Sequence, residues 1–176
     1  MSITTKRGDG GTTDLLFGGK ASKVAPQVEA LGEVDELNAV LGLARVAMDG
    51  EAAETIDQIQ KWLVTLMGEL AMPEGGEAAY DQAGFGRIGE SEIAWVENLS
   101  GGIEGDRKFR GWLRPGAGGG ELAARLHLAR TVARRAERST WKVANEIATG
   151  ELRIFLNRLS DALWLMARKT EEGEEA

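Results

Sequence analysis

Two stretches of this chain have residue types and spacing suited to holding an anion. The first is ARTVARRAER, residues 129–138; with Arg125 just upstream it carries five arginines and no lysine. The guanidinium is a rigid planar fork that meets phosphate or carboxylate oxygens two at a time. At about 100° per helical residue, His127, Arg130, Arg134, Glu137 and Trp141 fall within about 80° of arc, beside the apolar face rather than opposite it. A solvated face laced with i,i+4 ion pairs is the plain alternative. The second stretch is TTKRGDGGTTDLLFGGK, residues 4–20. Its glycines let backbone N–H groups approach a ligand closely, its threonine hydroxyls donate, and Lys6 and Arg7 neutralise charge. Those ingredients suit a polyphosphate, with a disordered head as the alternative. The stretch is not a Walker A loop: Asp14 stands where that motif needs its first glycine, and Ala21 where it needs a hydroxyl.

Smaller polar sets lie on other helical stretches. Asn157 and Asp161 are one turn apart in FLNRLSDALWLMAR, and Asp35 and Asn38 share a face in EVDELN. Much other chemistry is excluded by inventory. The chain has no cysteine and one histidine, so disulfides, thiolate nucleophiles, zinc fingers and iron–sulfur clusters are ruled out. A ferritin-like di-iron centre needs two Glu-x-x-His motifs and fails on the same count. The net charge of -7 argues against a general nucleic-acid binder. No run is apolar enough for a membrane span or signal peptide, and a cytoplasmic location is expected.

The elements that must position these residues are helical. Apolar spacings of three and four predict helices over 28–48, 52–71, 121–147 and 151–168. A weaker fifth, 90–99, would be capped by Ser91. Nothing alternates with period two over a useful length, so strands are not expected to matter. At 176 residues, the expectation is one all-α domain, a four- to five-helix bundle of ferritin-like up-down packing. Residues 1–27 form its N-terminal glycine–threonine loop, 28–169 the bundle and 170–176 a frayed acidic tail. The glycine-rich linkers 72–89 and 100–120 are long for a plain bundle, a feature associated with function.

Taken together, TTKRGDGGTTDLLFGG, VEALGEVDELNAVLGLA, ARTVARRAER and FLNRLSDALWLMAR resemble the blocks of the PduO-type ATP:cob(I)alamin adenosyltransferases, in the same order. The resemblance implies a homotrimer of helical bundles with active sites between neighbouring subunits. It implies transfer of the 5'-deoxyadenosyl group of ATP to cob(I)alamin, giving adenosylcobalamin and triphosphate. ATP would be co-substrate, cobalamin the substrate, and Mg2+ would bridge the phosphates without an assigned protein ligand. A cobalamin reductase and an adenosylcobalamin-dependent enzyme are the further partners it suggests; nucleic acid and membrane are not.

By position, the resemblance assigns Thr5, Lys6, Arg7, Gly8, Thr12, Thr13 and Lys23 to the triphosphate. Arg134, Arg135, Glu137, Arg138 and Asn157 would contact the nucleotide. Asp35 and Arg130 match a pair that joins subunits at the reaction centre, and Arg134 shares the catalytic role. Trp112 would lie under the corrin ring. A non-catalytic ATP or corrinoid carrier or sensor of the same fold, and a helical adaptor without a ligand, are the competing readings.

Overall fold

The computed structural model describes residues 4, 6–109, 111 and 114–173. Among these, two short strands and six helices follow one another: β1 Thr12–Asp14, β2 Lys20–Ser22, α1 Pro26–Arg45, α2 Gly50–Leu70, α3 Glu77–Gln82, α4 Glu90–Glu104, α5 Gly120–Thr140 and α6 Gly150–Glu171. The five long helices form the bundle that the spacing predicts. No helix among the described residues is long and apolar enough to cross a membrane.

Each long helix buries one stripe. Ala30, Val34, Leu37, Leu41 and Ala44 of α1 are buried at the three-and-four spacing of an amphipathic helix, as are Ile56, Ile59, Leu63, Leu66 and Leu70 of α2. The last helix is buried over most of its circumference, including Phe155, Leu156, Leu159, Leu163 and Met166. It is the central helix, packed on both α5 and α4. Trp62 of α2 sets its ring edge-on against both Trp95 of α4 and Phe155 of α6, at centroid distances of 4.8 and 6.0 Å. These contacts close the bundle around one core.

Polar contacts fix the directions. Arg125 near the start of α5 donates to the carbonyl of Leu43 near the end of α1, while Lys142, just past α5, reaches Glu29 at the start of α1. The two helices therefore run antiparallel. So do α1 and α2, joined by Arg45–Asp57 at one end and by Gln27 on the carbonyls of Leu70 and Met72 at the other. The start of α1, the end of α2 and the end of α5 share one end of the molecule.

Several boundaries differ from those expected. Strands do form: β1 and β2 pair antiparallel with Thr12 opposite Ser22, Thr13 opposite Ala21 and Asp14 opposite Lys20. Three residues a side is too short for alternation to register in the sequence. Helix α5 ends at Thr140, not 147; the carbonyls of Thr140 and Val143, left without helical donors, accept from Arg153 of α6. Val143, Ile147 and Ala148 are buried without being helical, and their spacing mimics a helix. Ser91 is not the cap of α4. Gly89 occupies that position, and its N–H is taken by Glu92 three residues on at 2.9 Å. That helix continues through Ser100, Gly101 and Gly102 to Glu104. At the C-terminus α6 takes in Lys169, Thr170 and Glu171, so the acidic tail starts later than residue 170; residues 174–176 lie outside the described residues.

Candidate functional site

The N-terminal stretch folds into a compact loop and hairpin at the shared end of the bundle. Lys6 opens a turn with φ 58°, its carbonyl accepting from Asp9. The N–H of Gly11 bonds the carbonyl of Gly8, and the N–H of Lys23 bonds the carbonyl of Gly11. Those bonds bring the two ends of the hairpin back to the turn. Gly8 lies close under this turn: a Cβ there would be 2.9 Å from the Lys23 ammonium and 3.3 Å from the Thr12 carbonyl. The Lys23 ammonium and the Thr12 carbonyl thus lie beside Gly8, with half-buried Thr13 next along β1 and Lys6 and Arg7 exposed. Thr5 lies outside the described residues.

The arginine block divides by partner. Arg135 is taken up within the chain: its Nε meets Glu33 and its Nη2 meets Glu36, both on α1. Those two hydrogen bonds push its already high pKa further up. Arg134 and Arg138, one turn apart and both exposed, make no ion pair among the described residues. Glu137 between them is half-buried and accepts from the Trp141 indole at 2.6 Å. The block thus keeps two guanidinium forks open near its end.

Arg130, a turn earlier, is half-buried, and its Nε is buried with no hydrogen-bond partner. Asp35 is exposed on α1, and no ion pair joins it to Arg130 within the described residues. The Oδ1 of Asn38, on the same face of α1, is likewise buried and unpartnered. On α6, half-buried Asn157 accepts from its neighbour Arg158 at 3.0 Å, and Asp161 is exposed. Trp112 lies outside the described residues.

His127 does not belong to the open stripe. It is buried where α5 meets α6, its Nε2 3.0 Å from the Glu171 carboxylate, whose other oxygen takes Arg168 at 2.9 Å. The helical-wheel position is right, but α6 covers it. Four residues that matter to the site's geometry escape the sequence reading: Phe17, Gln27, Glu33 and Glu36. The partners of Arg135 are about a hundred positions away and carried no local signal. A cleft of about 750 Å³ lies at the opposite end of the bundle between the start of α2, Arg107, Met166 and Lys169.

Comparison with known proteins places the chain in a family. Residues 3–170 match the family model described as cobalamin adenosyltransferase. The chain belongs to this family. It is 39% identical over 171 residues to the corrinoid adenosyltransferase PduO of Citrobacter freundii, across 96% of this chain and 49% of that protein. The corresponding Salmonella typhimurium protein is 37% identical over the same share of each. The chain thus spans about half the length of these two curated relatives. A second corrinoid adenosyltransferase of C. freundii is 37% identical, with 96% of this chain and 94% of the relative covered. Among solved structures, a PduO-type enzyme of Lactobacillus reuteri complexed with cobalamin and ATP superimposes with a TM-score of 0.83 at 31% identity. That match covers 97% of this chain and 91% of the other. An arginine-to-lysine variant of the L. reuteri enzyme complexed with ATP gives 0.81, with 97% and 94% covered.

Proposed function

We propose that the chain transfers the 5'-deoxyadenosyl group of ATP to cob(I)alamin, releasing triphosphate. The observation that carries this is the pair of open arginine forks, Arg134 and Arg138. In a chain with 28 carboxylates to 21 lysines and arginines, two adjacent guanidinium groups without a carboxylate are suited to an incoming anion. The family membership and the cobalamin–ATP complex of the L. reuteri relative support the same reading.

Co(I) is the nucleophile and the substrate supplies it, so the protein needs no cysteine, serine or general base. The cobalt electron pair forms a bond to C5' of ATP while the C5'–O5' bond breaks, and the electrons leave with the triphosphate. What the chain contributes is orientation of C5' and stabilisation of charge on the departing phosphates. Lys6, Arg7, Lys23, Thr12 and Thr13, with Thr5 and the backbone around Gly8, would hold the triphosphate. Arg134, Arg138, Glu137 and Asn157 would hold the rest of the nucleotide, and Arg135 would brace the block against α1. Among the described residues no group of three or more His, Asp or Glu side chains is placed to hold a metal. A magnesium ion would neutralise charge on the ATP phosphates, with no protein ligand assigned to it.

The active site is assigned to a boundary between subunits of a homotrimer. From Gly120 to Arg138 is about 27 Å along a helix. The phosphate hairpin sits at the far end of that span from residues 114–119, which lead into α5, and a neighbour's loop would complete the corrin side. Exposed Asp35 and Arg130, whose guanidinium makes no ion pair among the described residues, fit a pair made across such a boundary. A cytoplasmic setting, a cobalamin reductase upstream and an adenosylcobalamin-dependent enzyme downstream complete the proposal. Its test is anaerobic incubation of chemically reduced cobalamin with ATP and magnesium. Appearance of the adenosylcobalamin spectrum with stoichiometric triphosphate is expected; binding of both ligands without turnover would mark a carrier instead.

A further inference from the structure

The tip of the phosphate hairpin carries a conformation that needs a cause. Phe17 sits at φ 54°, ψ 29°, in the left-handed region. A bulky side chain there is a genuine outlier, and Gly18 next to it is left-handed as well, at φ 78°. The ring is also half-exposed, at 46%, so simple burial does not explain it. What the left-handed turn achieves is contact. The Phe17 ring meets Tyr80 of α3 edge-on at 6.5 Å and Phe85 at 6.2 Å, and Tyr80 and Phe85 are 5.2 Å apart.

Tyr80 is a fixed post. It is 1% exposed, donates its hydroxyl to the Gly86 carbonyl at 3.0 Å, and lies under the Arg87 guanidinium at 4.8 Å. Its hydroxyl packs so closely on α2 that a Cβ at Gly68 would come within 2.8 Å. The hairpin itself has little of its own to hold it. Three residues per strand is below what stands alone in water, and the loop beside it is glycine-rich. Its other moorings are the Leu16 N–H on the Ala71 carbonyl, and Gly19 packed against Pro73.

We propose that Phe17 and Tyr80 are positioning residues for polyphosphate: the aromatic contact at the hairpin tip holds Thr12, Thr13 and Lys23 in their binding arrangement before ATP arrives. The inference rests on the ATP reading of the hairpin given above. A preset loop avoids the ordering cost that a mobile one would meet on binding. The ring touches no ligand-binding residue and no reacting atom, so its effect falls on ATP binding and not on the chemical step.

Two substitutions separate this role from a structural one. Phe17→Gly relieves the backbone strain and removes the ring, whereas Phe17→Tyr keeps the ring. The expected result for Phe17→Gly is a KM for ATP raised about tenfold, kcat at saturating ATP within twofold, and a melting temperature no lower than wild type. Phe17→Tyr should restore the wild-type KM. In ligand-free protein, hydrogen exchange across residues 12–23 should accelerate in Phe17→Gly and not in Phe17→Tyr, with α2, α5 and α6 unchanged. An unaltered KM in Phe17→Gly, or a loss of kcat alone, overturns the proposal. So does equal exchange of the hairpin amides in the two variants. A wild-type protein without turnover would sink the adenosyltransferase reading instead, and the ligand-free exchange would still decide whether Phe17 orders the hairpin.

Discussion

Partner assignment separates four arginines that look equivalent in the sequence. Arg134 and Arg138 are open, Arg135 is clasped by Glu33 and Glu36, and Arg130 is half-buried with an unsatisfied Nε. The block as a whole stood out in the sequence, because arginine without lysine at helical spacing marks a candidate anion-binding face. Which forks stay open was not, since that depends on carboxylates of α1. The same gap misplaced His127, whose cover comes from α6. These differences give opposite expectations for conservative substitution. Arg134→Lys keeps the charge and loses the fork, so turnover should fall at least tenfold, about 1.4 kcal/mol or more, with little change in melting temperature. Arg135→Lys should instead lower stability by loosening α5 from α1 and change turnover less. Steady-state kinetics and thermal melts on the two variants check both; near-normal turnover for Arg134→Lys would remove that residue from the site.

At the scale of elements, what the sequence concealed is short. The hairpin strands have three residues each and α3 has six, below the length at which periodicity can be read. Yet α3 and the loop after it support the hairpin, and their attachment to α2 runs through Glu69. That carboxyl is 1% exposed and accepts from the Ile88 N–H at 2.8 Å, with Arg87 3.9 Å away. Burial pushes its pKa up to about 7 from an ordinary 4.5, against the opposing pull of the Ile88 bond and Arg87. A raised acid stabilises the fold fully below its unfolded value, near 4.5, and loses that contribution as pH rises through about 7. The shift corresponds to roughly 3 kcal/mol. Measured against Glu69→Gln, the wild type should therefore lose stability between pH 5 and pH 8 by an amount of that order. Parallel pH profiles for the two proteins would show that Glu69 is not charged on this schedule. Gly68, one residue earlier, tests the same junction sterically. Ala is favoured over Gly in a helix by about 1 kcal/mol, but its Cβ would meet the rigid Tyr80 hydroxyl at 2.8 Å. Gly68→Ala should lower the melting temperature in spite of the propensity gain.

For the whole molecule, the bundle was legible because its five long helices each bury a regular stripe, and α1, α2 and α6 begin within two residues of where the spacing put them. The assembly is a matter of what a single chain leaves undone. Asp35 is exposed in mid-helix, too far from the start of α1 for the helix dipole to account for it. Arg130 is half-buried, and no ion pair engages its guanidinium among the described residues. A half-buried guanidinium without a carboxylate is costly unless a partner appears. A neighbouring subunit would supply one if Asp35 of each chain meets Arg130 of the next, a heterologous contact that closes into a ring. Removing one member of such a pair leaves the other desolvated and uncompensated, which is more costly than never forming the pair. Asp35→Ala should then weaken association and lower activity together, and Arg130→Ala should do the same. The double variant should recover part of the association lost in either single one, because it leaves no orphaned charge. Sedimentation of the four proteins over a concentration series reads this directly. A wild-type monomer, or losses in the two single variants that simply add in the double, would show that Asp35 and Arg130 do not meet across a subunit boundary.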